Sequence, residues 1–237
     1  MTTRSRCLVL GLDGVPLTLA RKLTGKLPNL GALAAGPNAT TIRAELPELS
    51  PVNWTSFATA TGPGGHGVFG FVRIDPLTYA LALADSTQVA APSIFDRLGA
   101  AGLSSRVVNL PNTYPARPIR GMLVAGFVAE ELAKAVHPPF LLGPLAAAGY
   151  RLEADTRRGL TDPDFLLAEL RATLKSREAA LDLLWPDLDF DLFVFVLTET
   201  DRLFHFLYPA VREPAHPLHD ACLEFLREWD RLLGSVL

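Results

Sequence analysis

The sequence predicts an α/β protein built on a mostly parallel sheet, and three observations carry that reading. The runs Cys7–Leu12 and Leu192–Leu197 contain no polar residue, the pattern of strands buried on both faces. Arg106 to Leu110 reads as another buried strand. Stretches with helical spacing lie between them. At 237 residues, 49% of them hydrophobic and 20% charged, the chain has ordinary globular composition and can build one large domain with a real core. We expect a single α/β domain over 1–237.

The elements follow in order. The first strand ends in Asp13-Gly14. Leu17 to Leu23 is helical. Leu27-Pro28-Asn29-Leu30 opens a short helix that stops near Gly36-Pro37. Thr40 to Leu46 alternates as a strand does. Pro51 disfavours helix just before it, so Trp54 to Thr61 is expected to wind about two turns, with Gly62 as the stop. Thr78 to Leu83 reads as an edge strand or hairpin. Ser93 to Ala101 is a helix with Ser93 as its N-cap, and Met122 to Ala125 is a further strand. The stretch 130–160 is irregular and rich in Pro and Gly, so a cap or lid insertion is expected there. Asp164 to Leu184 is a long amphipathic helix with Phe165, Leu166, Leu170, Leu174, Ala180, Leu181 and Leu184 on its apolar side. The closing helix, Leu218 to Leu237, has an apolar face from Cys222 to Val236 that is expected to bury against a sheet.

Several function classes drop out on composition. A net charge of −3 gives no electrostatic case for nucleic acid. Two cysteines, Cys7 and Cys222, support no disulfide framework. The apolar run after Arg4 and Arg6 is too short for a signal peptide, and no later run spans a bilayer. A soluble cytoplasmic protein without a membrane partner is the expectation; oligomeric state is not readable.

Chemistry concentrates where strands end. Asp13 at the carboxyl end of a buried strand is a candidate metal ligand; a plain Asp-Gly turn is the alternative. Asp201 and His205 follow the most hydrophobic strand. Four apart, they share one side of a helical turn. Carboxylate plus imidazole suits Zn²⁺ or Mn²⁺, and an Asp–His hydrogen bond on a solvated face is the alternative. With a helix starting near Trp54, Thr55 is expected in its first turn, where free N–H groups and the positive dipole end favour an anion such as phosphate. A hydroxyl there can attack phosphorus with metal assistance, or merely cap the helix. His66 sits among five glycines in a loop that lacks the Lys-Ser/Thr of a P-loop. It reads as a substrate contact or as a packed loop histidine.

These pieces occur in a telling order. Gly11-Leu12-Asp13-Gly14, Leu27-Pro28-Asn29-Leu30, Ser50-Pro51 through Trp54-Thr55-Ser56, Thr61-Gly62 with His66-Gly67-Val68, Asn109 through Tyr114-Pro115, and Thr198-Glu199-Thr200-Asp201 with His205 together span nearly the whole chain. In this order they resemble the N-terminal half of the type I phosphodiesterase/nucleotide pyrophosphatase family of the alkaline phosphatase superfamily. The resemblance implies an alkaline phosphatase-like doubly wound sandwich, truncated at its C-terminus, with helices on both faces of the sheet.

It also implies a metal-dependent hydrolase of small phosphoric esters with two divalent ions, zinc or manganese. Thr55 would be the nucleophile and share a metal with Asp13; Asp201 and His205 would hold the second. The family completes its site with a later Asp-His pair and a further His, and no such segment occurs here. The expectation is therefore an incomplete catalytic domain, inactive alone, marginally stable and with apolar surface exposed. Phe71 stands where nucleotide pyrophosphatases carry a phosphate-binding Asn; Asn53 or Asn109 would have to substitute. The alternatives are a catalytically inactive metal- or partner-binding α/β protein, or a phosphomutase or sulfatase-like relative. The last lacks the Cys near Thr55 that formylglycine chemistry needs.

Overall fold

A computed structural model describes residues 5–186 and 189–237. Arg4, used above in excluding a signal peptide, lies outside them. In chain order the elements are β1 (Cys7–Leu12), α1 (Leu17–Lys22), α2 (Pro28–Ala35), α3 (Ser50–Thr59), α4 (Pro63–His66), β2 (Val72–Ile74), β3 (Leu81–Leu83), α5 (Ile94–Ala100), β4 (Ser105–Leu110), β5 (Gly121–Ala125), α6 (Leu132–Ala135), β6 (Val136–His137), α7 (Leu142–Ala147), α8 (Pro163–Leu184), β7 (Leu192–Leu197), α9 (Glu199–Arg212) and α10 (His219–Val236). The described chain divides into two compact units. One holds the segment ending at Gly11 with Arg43–Leu152 and Ala180–Val196; the other holds Leu12–Ile42, Glu153–Ala179 and Leu197–Leu237.

The first unit is organised by a five-stranded sheet in the order β1-β7-β4-β5-β6. β4 pairs in parallel with β7 (Val107 opposite Val194) and with β5 (Val107 opposite Leu123). β1 runs the same way as β7, because Cys7 N–H bonds Asp191 O at their starts and Asp13 N–H bonds Leu197 O at their ends. The central strands β4 and β7 are buried at every position, as their apolar runs require. Arg106 is accommodated because its guanidinium donates to the Leu184 and Asp189 carbonyls. β1 differs from expectation. It is the last strand in the order and is mostly half-buried, so an apolar run did not mean burial on both faces.

The core of this unit joins Phe95, Val107, Leu110, Leu123, Val194 and Val196, with Trp54 and Ala58 of α3 packed into it. A side chain at Gly11 would stand 2.7 Å from the Trp54 ring and 2.9 Å from Val196, so glycine is what lets α3 approach β1. Ser93 caps α5 as expected. Its hydroxyl accepts from Asp96 N–H while the Asp96 carboxylate accepts from Ser93 N–H, a full capping box.

Three further expectations change. Residues 40–46 form no strand; they are exposed and irregular, and their alternation had no partner strand to act on. The stretch 130–160, expected as a cap or lid, supplies β6, which pairs antiparallel with β5 in the main sheet. The apolar face of α10 is buried, with α2 and α9 among its neighbours, and Cys222, Phe225, Trp229 and Leu233 are fully covered. That removes the expected exposed surface. The carboxylate of Asp230 on α10 accepts from the Asn29 and Leu30 N–H groups (3.1 and 2.8 Å), capping the first turn of α2 from outside.

Asp230 is nearly fully buried, so its loss strands two backbone donors in a dry environment. Asp230→Ala is expected to lower stability by roughly 2–4 kcal/mol, and Asp230→Asn by less, because an acceptor oxygen remains. Urea titration followed by circular dichroism measures both.

Candidate active site

The helix expected to open near Trp54 opens five residues earlier than Thr55, at Ser50. Leu49 is its extended N-cap, Pro51 occupies the first turn, and Asn53 N–H closes the first helical bond on Leu49 O at 3.0 Å. Proline without an N–H fits a position where that N–H has no partner. Thr55 is therefore in the second turn and not beside the free N–H groups. It is 3% exposed. Its hydroxyl donates to Pro51 O at 2.6 Å and accepts from Asn112 Nδ2 at 2.8 Å. Thr55 borders a small cavity of about 50 Å³ with Asn112, Phe95 and Leu123. Ser50, which the sequence reading quoted without assigning a role, is half-buried in the first turn, and its hydroxyl makes no hydrogen bond among the described residues. The signal that could have found it was Pro51, read as a helix start rather than a barrier.

The other candidates of this unit are hydrogen-bonded within it. Asn53 Oδ1 accepts from Glu45 N–H (2.9 Å) and its amide donates to Leu49 O, tying the incoming segment to α3. Asn109 is fully buried at φ +62 and donates to Val196 O at 2.8 Å, bridging β4 to β7. His66 is also fully buried. Val68 N–H donates to its Nδ1 at 3.1 Å, so Nε2 carries the proton and donates to Ser56 Oγ at 2.9 Å. Burial pushes the His66 pKa below its ordinary value, with Glu45 opposing.

Asp13, Asp201 and His205 belong to the second unit, and Asp13 and Asp201 meet at one junction. Thr200 Oγ donates to Asp13 O at 2.7 Å. Gly14 has φ +72, and a Cβ there would stand 2.6 Å from Asp201 Cα. The Asp-Gly pair is thus a turn that must also admit the first turn of α9. Asp201 Oδ1 lies 3.3 Å from His205 Nε2, confirming the shared helix side, and His205 is two-thirds exposed while Asp201 is mostly covered. Asp201 Oδ2 is already engaged by Arg202 Nη1 at 2.8 Å, and Arg202 reaches Glu153 at 3.4 Å. Beneath them Arg177 and Glu199 pair at 3.2 Å, both completely buried. Burial pushes the Glu153 and Glu199 carboxyls up despite the facing arginines.

Asp201 and His205 have the donor chemistry and spacing for two positions of a divalent metal site. Among the described residues no three His, Cys, Asp or Glu side chains converge, so the donor set fits a metal as a pair and not as a closed site. No described helix is long and apolar enough to cross a membrane.

A mostly parallel central sheet with helices gives the chain an alkaline phosphatase-like fold. The chain belongs to the type I phosphodiesterase / nucleotide pyrophosphatase family, which it matches over residues 7–237. No curated protein sequence matches it. Among solved structures it is similar to phosphonoacetate hydrolase from Sinorhizobium meliloti 1021 with phosphonoacetate bound, at TM-score 0.59 and 18% identity over 98% of this chain and 53% of the other. The same enzyme with phosphonoformate gives 0.58. Murine ectonucleotide pyrophosphatase / phosphodiesterase 5, as an inactive threonine-to-alanine variant with AMP, gives 0.55 at 13% identity over 98% and 51%. The chain spans about half the length of these structures.

Because the folded chain resists protonating His66, stability is expected to fall as pH drops below the unfolded value of 6.5 and on through the lower folded value. One such group contributes a slope of at most about 1.4 kcal/mol per pH unit. Urea midpoints of wild type and His66→Gln between neutral and mildly acidic pH check this; the variant should show the shallower slope.

Proposed function

We propose that this protein hydrolyses phosphoric esters by attack of an α3 alcohol on phosphorus, assisted by divalent metal. The observation that carries the reading is the junction of the Asp13-Gly14 turn with Asp201 and His205, in a chain of this family. Two ions, zinc or manganese, are the proposed cofactors; Asp201 with His205 offers donors for one and Asp13 a carboxylate for the other. When bound, such ions supply positive charge that stabilises an attacking alkoxide and a leaving oxygen. The proposed substrate is a small phosphate ester and the proposed location the cytoplasm, in keeping with two unpaired cysteines.

Two alcohols compete for the nucleophile. Thr55 is the residue the family resemblance assigns, and in the murine relative a threonine-to-alanine change accompanies inactivity. Ser50 has the better local chemistry. Its first-turn setting places the hydroxyl near unpartnered N–H groups at the positive end of α3, where an anionic phosphoryl group binds and an alkoxide is stabilised. The Thr55 proton is committed to Pro51 O, and the side chain is enclosed. We assign the attack to Ser50 and give Thr55 the task of holding α3 to Asn112.

A second reading, metal or partner binding without turnover, is favoured by one observation: Arg202 occupies Asp201 Oδ2. Hydrolysis of bis(p-nitrophenyl) phosphate with excess zinc or manganese, alongside calorimetric metal binding, separates the two. Ser50→Ala is expected to lose turnover by at least about 1,000-fold with metal binding retained. Thr55→Ser should keep turnover within a few-fold. Asp201→Ala should weaken metal binding. Loss of activity in Thr55→Ala with none in Ser50→Ala would return the role to Thr55; metal uptake without any turnover in wild type would establish the second reading.

A further inference from the structure

The two carboxylate oxygens of Asp201 have different neighbours. Oδ1 lies 3.3 Å from Nε2 of His205, one helical turn on. Oδ2 accepts a charge-assisted hydrogen bond from Arg202 Nη1 at 2.8 Å. Two ligand atoms bound to one tetrahedral ion by bonds of about 2.1 Å stand about 3.4 Å apart. Oδ1 and Nε2 therefore already have the spacing of two ligands of such an ion, while Oδ2 is engaged by the guanidinium.

This arrangement is held from several sides. The Asp201 backbone lies against the Asp13-Gly14 turn, where a Cβ on Gly14 would come within 2.6 Å of its Cα. Its side chain is mostly covered and is bonded by Arg202, itself mostly covered. Arg202 is braced in turn by Glu153, with Nη2 3.4 Å from Oε2. The charges also matter. Arg202 is balanced by Glu153 and Arg177 by Glu199, so with Asp201 two arginines face three carboxylates. One net negative charge is left for a cation, beside an imidazole that is two-thirds exposed to solvent.

We propose that Arg202 selects the metal: by holding Oδ2 it keeps Asp201 a one-oxygen ligand, so that the Asp201–His205 pair takes zinc in preference to manganese. The inference rests on the metal-assisted reading above and deepens it by naming the residue that chooses between the two ions. Zinc accepts an imidazole nitrogen and a single carboxylate oxygen within a tetrahedron. Manganese suits carboxylate, carbonyl and water oxygens within an octahedron. The second oxygen of Asp201, the donor such an ion would draw on, is committed to Arg202. Arg202 is thus a positioning residue that acts through Asp201. A cation that merely repelled metal would weaken both ions alike and leave their ratio unchanged.

Dissociation constants for zinc and for manganese, each measured on the whole chain at neutral pH by competition with a chromophoric chelator, test this without any turnover. Wild type is expected to bind zinc more tightly. In Arg202→Met the ratio of the manganese constant to the zinc constant should fall by about tenfold or more, as for loss of a group that orients a metal ligand. The lost positive charge tightens both ions and cancels in the ratio. Glu153→Gln should lower the ratio by less, and should add nothing in the Arg202→Met background, because Glu153 acts through Arg202. Circular dichroism checks that each variant folds; if Arg202→Met does not, Glu153→Gln decides alone, and an unchanged ratio there overturns the proposal. A folded Arg202→Met that binds both ions more tightly with the same ratio, or an additive effect of the two substitutions, would overturn it and leave the metal-assisted reading standing. A wild type that binds neither ion would overturn that reading and the proposal together.

Discussion

The arrangement of the second unit depends on one buried ion pair, Arg177 of α8 with Glu199 at the start of α9. Taking both charges out of water costs several kcal/mol each before their attraction offsets it, and the raised Glu199 carboxyl shows that desolvation outweighs the arginine. Such a pair is poor evidence for stability and better evidence for geometry. It ties the start of α9 to α8. In that turn Thr200 donates to the Asp13 carbonyl and the Asp201 backbone lies over Gly14, while the i, i+4 spacing alone puts Asp201 and His205 on one side of the helix. Arg202 and Glu153 extend the same charged layer outward.

In the first unit the corresponding constraint is steric. α3 approaches the sheet through Trp54 over Gly11, and the Thr55 hydroxyl is pulled inward between Pro51 O and Asn112. Asn112 is held at φ +61 just past the end of β4, so the strand end and the helix define one another. The consequence for chemistry is that the two α3 alcohols, five residues apart, face different environments. One sits at the start of the helix dipole; the other is enclosed and hydrogen-bonded between Pro51 O and Asn112. Residue type alone does not separate these roles, since both are small alcohols on one short helix.

The two apolar faces least explained by local pattern met opposite fates. That of α10 is covered by α2 and α9 and further fixed by Asp230. That of the β2–β3 hairpin is exposed, with its turn fixed by the Asp75 carboxylate. Both faces are equally apolar in sequence. Which one is buried was decided by what the topology brought beside it.

The sequence by itself determined the elements whose signal is local. The buried strands β4 and β7, the helices α8 and α10, the Ser93 capping box and the i, i+4 relation of Asp201 to His205 all follow from side-chain periodicity or from bonds within a few residues. It determined the family as well, because the motif order is a property of the chain. Tertiary structure decided the rest. β1 became an edge although its run is as apolar as a central strand, residues 40–46 found no partner, and β6 joined the sheet from a stretch read as a lid. It also decided which groups Asn53, His66 and Asn109 hydrogen-bond, and that Thr55 lies inside while Ser50 opens the helix. The physical reason is the same in each case: a hydrogen-bond donor, an apolar face or an alcohol has a role only once its partner is known, and those partners, such as Asn112, Val196 O and Asp230, lie tens to hundreds of residues away in the chain.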